Sequence, residues 1–236
     1  MATVLITGSS RGIGATAARQ FALAGWDLLL VARNDHDLAD LAIDLRKLGR
    51  KVETASIDLA SSYDIAPSLA ELLERGLTPQ VVVNNAGAAS TGSLTEMTLD
   101  EWQWLLQLNL TSIFQISKVI IPIFRLNGGG LIINVSSHAA RKVFPNWGAY
   151  CTAKSALEML TRCIAEEERD YGIRACTLTL GAVDSPLWET NTVCGNFDRR
   201  AMLPLEQAAA ALVYMAQQSP TQVVEDLTLM PATGAL

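Results

Sequence analysis

The sequence predicts an α/β protein: a doubly wound parallel sheet of about seven strands flanked by helices, folded as a single domain over residues 1–236. Three observations carry that expectation. Short apolar runs such as Val4-Leu5-Ile6 and Val81-Val82-Val83 lack the polar alternation of a half-exposed strand, so they read as strands buried on both faces. They alternate with longer stretches that close at Gly25, Gly49 and Gly76, as helices do. The first run enters a glycine-rich turn that opens directly into such a stretch.

Taken in order, residues 3–7 form the first strand and residues 12–24 an alanine-rich helix stopped by Gly25. Strand 27–31 precedes helix 35–48, which ends at Gly49. Strand 51–57 precedes helix 63–75, and strand 81–83 runs into Asn84-Asn85-Ala86-Gly87. A long helical region covers residues 99–124, broken near Asn109 and Pro122. Strand 131–135, helix 148–171, strand 173–180, helix 205–217 and strand 223–230 complete the chain. A series of strand–helix–strand crossovers of this kind builds a Rossmann-type sheet. No fixed-period repeat or linker interrupts it, and the charged run from Glu166 to Asp170 reads as a solvated helix face.

Half the residues are hydrophobic and 18% are charged, enough for one sizeable core. A net charge of −6 and a pI near 5.0 argue against nucleic-acid and anionic-membrane partners, while leaving room for an anionic ligand held by local arginines. Cys151, Cys163, Cys176 and Cys194 form no C-x-x-C pair, and His36 and His138 add no metal-ligand spacing. No metal is expected, and free thiols suit a reducing cytoplasm. The N-terminus lacks a basic leader region. The most apolar stretch, residues 113–124, is shorter than the roughly 20 residues of a membrane span. A soluble cytoplasmic protein is expected.

The glycine turn reads TGSSRGIG from Thr7 to Gly14. Gly8, Gly12 and Gly14 permit a tight turn and bring backbone N–H groups close to phosphate oxygens at a helix N-terminus. The spacing is G-x-x-x-G-x-G and so differs from G-x-G-x-x-G. After the second strand, where an acidic residue would bind a ribose 2′-hydroxyl, the chain has Arg33. With Arg11 it suits a 2′-phosphate, so NADP is expected over NAD. Asp58 either accepts from an adenine amine or caps the segment after it. Asn84 and Asn85 can tie neighbouring strand ends together, and Gly87 lets the backbone pass close to a ribose.

The reactive stretch is Ser137 to Lys154. A helix from Gly148 sets Tyr150 and Lys154 one turn apart on one face. An ammonium beside a phenol favours the phenolate, so the Tyr150 pKa is expected to fall from its usual value of about 10. That would let it exchange protons near neutral pH. Ser137, at a strand end, is placed to hold a substrate oxygen.

TGSSRGIG, NNAG, the asparagine of LNLTS, NVSS and YCTAK stand in the order and at the intervals of the short-chain dehydrogenase/reductase family. The chain resembles the compact form of that family over nearly its whole length. The resemblance implies that Tyr150 is the general acid/base and that Lys154 lowers its pKa and binds nicotinamide-ribose hydroxyls. It further implies that Ser137 polarises the substrate carbonyl and that Asn109 holds a water beside Lys154. Cofactor contacts are implied at Gly8, Ser10, Arg11, Gly12, Ile13, Gly14, Arg33, Asp58, Leu59, Asn85, Ala86, Gly87, Gly181, Val183 and Ser185, besides Tyr150 and Lys154. A homotetramer built on the two late helices, or a homodimer, is implied as well. Two departures stand out: Leu180 replaces the usual proline before Gly181, and no Asp-Gly-Gly follows the last strand.

The expected function is NADP(H)-dependent interconversion of a carbonyl and a secondary alcohol on a small molecule, such as a 3-hydroxy acid. The alternatives are a fatty-acid-type 3-oxoacyl thioester reductase, which the C-terminal departure disfavours, and a non-catalytic dinucleotide sensor. A sensor should show a gap in the Ser/Tyr/Lys set, and there is none. A loop near residues 186–203 is expected over the substrate, with Trp147 and Trp188 at its mouth, while Trp102 and Trp104 pack or line an interface. His138 beside Ser137 lacks a G-x-S-x-G elbow, which argues against a hydrolase. Cys151 lies about 100° around the helix from Tyr150 and reads as a spectator.

Overall fold

The computed structural model describes residues 2–195 and 197–234. Its strands are β1 (Thr3–Thr7), β2 (Asp27–Ala32), β3 (Val52–Ser56), β4 (Val81–Asn84), β5 (Gly130–Ser137), β6 (Ile173–Leu180) and β7 (Asp226–Leu229). They pair, always in parallel, in the order β3-β2-β1-β4-β5-β6-β7. The helices are α1 (Gly12–Leu23), α2 (Asp35–Lys47), α3 (Ile65–Leu73), α4 (Leu99–Leu106), α5 (Ser112–Leu126), α6 (Gly148–Glu167) and α7 (Leu205–Ala216).

Successive strand residues point to opposite faces, so both faces of this apolar sheet need cover. Val4, Ile6, Leu28 and Leu30 pack with Ala17, Phe21, Leu38 and Leu212 on the side of α1, α2 and α7. Leu5, Leu29, Val31 and Val82 pack with Leu69, Ile116, Ile120 and Phe124 on the side of α3 and α5. An amide ladder crosses the middle of the sheet: Asn84 Nδ2 donates to Asn134 Oδ1 at 2.8 Å, and Asn134 Nδ2 donates to Thr161 Oγ1 of α6 at 2.8 Å. The strand order reverses between β1 and β4. In an open parallel sheet the crevice beyond the strand C-termini at such a point is where a ligand binds.

Five local expectations change or sharpen. The break near Asn109 is a single π-turn, Gln107–Thr111. No break occurs at Pro122, because α5 runs through it with Ile113, Ile116, Ile120 and Phe124 buried. One missing N–H bond does not outweigh that apolar face. Helix α6 ends at Glu167, followed by a 3-10 turn and Gly172 in the left-handed region at φ 71°. Within the charged run Glu168 is buried and takes two bonds from Arg125, at 2.7 and 2.6 Å, so it clasps α5 rather than facing water. The last strand is shorter than expected at four residues, since Val223 lies outside the ladder. The run Leu99–Leu126 is 28 residues long, and its most apolar window, with mean hydropathy 1.3, is long and apolar enough to cross a membrane; 44% of that window is buried inside the protein.

Candidate active site

The site grows from the switch point. Thr7 ends β1, and its Oγ1 accepts the N–H groups of Asn85 at 3.1 Å and Ala86 at 3.0 Å. In return Asn85 Nδ2 donates to the Thr7 carbonyl at 2.9 Å. The two strand ends are thereby stapled, and the turns leaving them face one another. Gly8 at φ +65° lets the chain leave β1 sharply, and a Cβ there would meet Ala86 Cα at 2.9 Å. Gly14 is excluded from side chains for a different reason: a Cβ would sit 2.2 Å from the Gly8 carbonyl oxygen. The first turn of α1 follows at once, with exposed Arg11 at its N-cap making no side-chain cap bond. A close-packed glycine backbone, a helix N-terminus and the exposed guanidinium groups of Arg11 and Arg33 form a donor set that fits a phosphorylated dinucleotide.

Asn109 owes its place to the π-turn, a feature that tends to occur where a helix serves a site. It is fully buried; its Nδ2 donates to the Ala88 carbonyl at 2.9 Å and the Leu105 carbonyl at 3.0 Å, and its Oδ1 accepts from Ala88 N at 3.3 Å. The segment after β4 is thus held against the π-turn. At Gly87 a Cβ would fall 2.7 Å from Asn109 Oδ1 and 3.6 Å from Lys154 Nζ, so the backbone passes directly over both.

Lys154 is buried, donating from Nζ to the Val135 carbonyl at 2.9 Å, with its ammonium 5.8 Å from the Tyr150 ring centroid. Burial pushes its pKa down to about 8. The expected fall in the Tyr150 pKa is not observed: burial raises it to about 12, against the opposing pull of the Ser137 hydroxyl. Desolvation of the phenolate outweighs an ammonium that is itself desolvated and turned toward a backbone carbonyl. Ser137 Oγ accepts from Ala139 N at 3.2 Å, which leaves its hydroxyl proton free for another acceptor.

Of the residues singled out from the sequence, seventeen of these nineteen positions line one cleft of about 660 Å³: Gly8, Ser10, Arg11, Gly12, Ile13, Arg33, Leu59, Asn85, Ala86, Gly87, Asn109, Ser137, Tyr150, Lys154, Gly181, Val183 and Ser185. Gly14 is not among the lining residues and acts through packing. Asp58 is not among them either, and takes the capping alternative, accepting from Ala60 N at 3.0 Å. Leu180 in place of proline leaves its segment well held. It is buried in register with Leu229, and Leu203 N donates to the Ala182 carbonyl at 2.9 Å.

The cleft has further walls that sequence reasoning did not assign. Met230 reaches it because β7 ends beside β6, a neighbour relation that only the sheet order reveals. Pro186 rests against the glycine turn, where a Cβ on Gly12 would lie 3.2 Å from its Cδ. Phe144 and His138 also line the cleft, with ring centroids 6.3 Å apart. Trp147 and Trp188 line it, joined by Phe197. Cys151 is buried, and Trp102 and Trp104 are partly buried against its cluster.

Comparison with known proteins agrees with this architecture. A family model described as short chain dehydrogenase matches residues 2–193. A sepiapterin reductase of Chlorobaculum tepidum is 28% identical, the alignment covering 98% of this chain and 96% of that protein. An alcohol dehydrogenase from the archaeon Thermococcus sibiricus, solved in complex with 5-hydroxy-NADP, superposes with a TM-score of 0.91 at 27% identity, over 100% of this chain and 99% of that one. A metagenomic short-chain oxidoreductase solved with NADP gives 0.85 at 26% identity, over 98% and 97%.

Proposed function

Since the chain belongs to the short-chain dehydrogenase/reductase family of oxidoreductases, we propose that it uses NADP(H) to interconvert a carbonyl and a secondary alcohol on a small molecule. The observation that carries this reading is the convergence of Ser137, Tyr150, Lys154 and Asn109 in a cleft continuous with the glycine turn. When bound, the nicotinamide supplies the hydride in reduction or accepts it in oxidation. Ser137 Oγ donates its free proton to the carbonyl oxygen and holds it beside Tyr150. The Tyr150 hydroxyl, fully protonated at neutral pH with its pKa near 12, delivers the proton as the oxygen becomes an alcohol. Lys154 stands behind the phenol and Asn109 braces the segment carrying Gly87, so the pair stays aligned. Hydroxyls of the nicotinamide ribose are the partners we assign to Lys154, and a water linking the site to solvent the one we assign to Asn109.

NADP is favoured over NAD by Arg11 and Arg33, and structural relatives were solved with NADP or 5-hydroxy-NADP. The same reading takes the chain as one domain whose 186–203 loop covers the substrate. It places the enzyme in the cytoplasm, with no metal and no nucleic-acid or membrane partner, and assembles it as a homotetramer or homodimer on the two late helices, α6 and α7, where Met159 and Tyr214 are exposed.

The test is steady-state turnover on a panel of carbonyls and alcohols with both cofactors. Tyr150→Phe should lower kcat by about 10²–10⁴-fold, the share general acid–base catalysis typically contributes. Arg33→Ala should weaken NADPH binding about tenfold or more while barely touching NADH, since charge-assisted bonds to a 2′-phosphate are lost. Near-normal turnover by Tyr150→Phe would overturn the mechanism.

A further inference from the structure

Resting on the oxidoreductase reading above, we propose that the substrate is a flat, uncharged aromatic or conjugated carbonyl compound, or its alcohol, seated against Trp147, Trp188 and Phe197. The three rings form a wall that begins at the reactive phenol. Trp147 meets Tyr150 edge to face, with centroids 5.6 Å apart and planes at 71°. Trp188 follows at 5.9 Å from Trp147, and Phe197 stands 4.5 Å from Trp188 and 6.5 Å from Trp147. A molecule whose carbonyl reaches Tyr150 must lay the rest of its body along these rings.

The rings pack against the buried cluster that holds Tyr150 and still line the cleft. Phe21 and Phe124, which serve the core, are fully buried, whereas Trp147, Trp188 and Phe197 are only half-buried and line the cleft. Trp188 Nε1 already donates to the Val183 carbonyl at 2.7 Å, which fixes the indole and leaves apolar surface to offer. Trp147 is aimed by the residue before it: Asn146 takes the left-handed region at φ 66°, and its carbonyl accepts from Gly92 N at 2.8 Å. Such preset rings contact a flat ligand at little entropic cost.

Charge decides against the carboxylate of a 3-hydroxy acid. Arg11, Arg33 and Asp37, which line the cleft, belong to the glycine-turn end, and Lys154 is committed to Val135 behind Tyr150. Arg199, on the loop carrying Phe197, is paired with Asp184 and Glu189. A carboxylate against ring faces would be stripped of water with no lysine or arginine of that end of the lining to meet it. A cationic ketone is disfavoured as well, because the lining residues at the aromatic end include no carboxylate.

The experiment compares kcat/KM with NADPH for five carbonyls: 1-phenyl-1,2-propanedione, 2,3-hexanedione, acetoacetate, an acetoacetyl thioester and a trimethylammonium ketone. The aryl dione should lead the aliphatic dione and the charged ketones by about tenfold or more, the worth of one or two good aromatic contacts. Phe197→Leu and Trp188→Leu should raise the aryl KM and collapse that lead. The Phe197 variant keeps an apolar side chain and the Trp188–Val183 bond, so it reports even if the Trp188 variant folds poorly. Equal or better turnover of acetoacetate, the thioester, the ammonium ketone or the aliphatic dione overturns the proposal and leaves the oxidoreductase reading standing. If no carbonyl turns over while NADPH binds, that reading fails instead. Equilibrium dialysis of the aryl dione against wild type and Phe197→Leu, both with NADPH, then decides the aromatic seat: equal affinity overturns it, and a weaker variant supports it.

Discussion

Lys154 is the residue at which stability and catalysis pull in opposite directions. Its side chain is buried, and its pKa drops from 10.5 in the open chain to about 8 in the fold. Between those values the unfolded chain binds the proton that the folded protein has released. Stability therefore rises with pH across this window, and below pH 8 the fold carries the full cost of a buried ammonium. Tyr150 has the opposite effect: with its pKa raised from 10.0 to about 12, the fold keeps a proton that the unfolded chain loses, so stability falls over that range. Replacing Lys154 by methionine should abolish turnover and remove the rise between pH 8 and 10.5, without removing the fall above pH 10. Urea midpoints of the two proteins, subtracted at each pH, isolate this one group because the remaining side chains cancel. A flat difference would show that Lys154 is not desolvated as the fold implies.

Among elements, the β1–turn–α1 unit shows what spacing alone conveys and what it hides. Alternating strands and helices, the glycine turn and the one-turn separation of Tyr150 and Lys154 are periodic or local, and a linear sequence displays them. Which glycine serves a ligand and which serves packing is not local, since Gly14 is explained only by the Gly8 carbonyl folded over it. The π-turn at Asn109 was legible only as a break, because an extra residue in a helix leaves the apolar pattern nearly intact. Met230 and Phe144 escaped notice because they reach the cleft through strand order and loop path, which no periodicity encodes. The burial of Glu168 escaped for the same reason: its partner Arg125 lies on another helix. Two substitutions separate steric from backbone effects. Gly14→Ala, with its Cβ 2.2 Å from a carbonyl oxygen, should cost more than about 3 kcal/mol or prevent folding, beyond ordinary overpacking. Gly49→Ala, at φ +76° with nothing within 4 Å, should cost only the left-handed penalty of about 1–2 kcal/mol. Thermal melts that ranked the two equally would refute the packing role of Gly14.

At the scale of the whole molecule, the last strand couples the chain's end to the cleft. β7 is a four-residue edge strand with half its side chains exposed, too short to hold itself, yet Met230 just beyond it forms cleft wall. Arg141, four residues past Ser137, supplies the anchor. It pairs with Asp226 at the start of β7, reaches Thr228 at 3.0 Å and touches Glu158 of α6 at 3.3 Å. Glu158 in turn accepts from Ser136 at 3.2 Å, so one polar cluster joins the serine strand, the tyrosine helix and the terminal strand. Burial alone would push the Asp226 carboxyl up, but hydrogen bonds from Arg141, Thr228 and Thr179 together hold it below the usual carboxylate range. That contribution is present above the ordinary Asp pKa of 3.8 and is lost as pH falls below it. Arg141→Leu should therefore speed amide exchange in residues 226–229 by about tenfold, as expected for a cluster rather than an isolated surface pair. Exchange in β1 and β4 should stay as it was. KM should rise more than kcat falls, because the wall moves while the Ser137–Tyr150 pair does not. The variant should also lose less stability than wild type as pH falls below 3.8, since its Asp226 no longer gains from the pairing. Exchange accelerated uniformly across all seven strands would show instead that Arg141 supports the fold as a whole, and the coupling of chain end to cleft would fall with it.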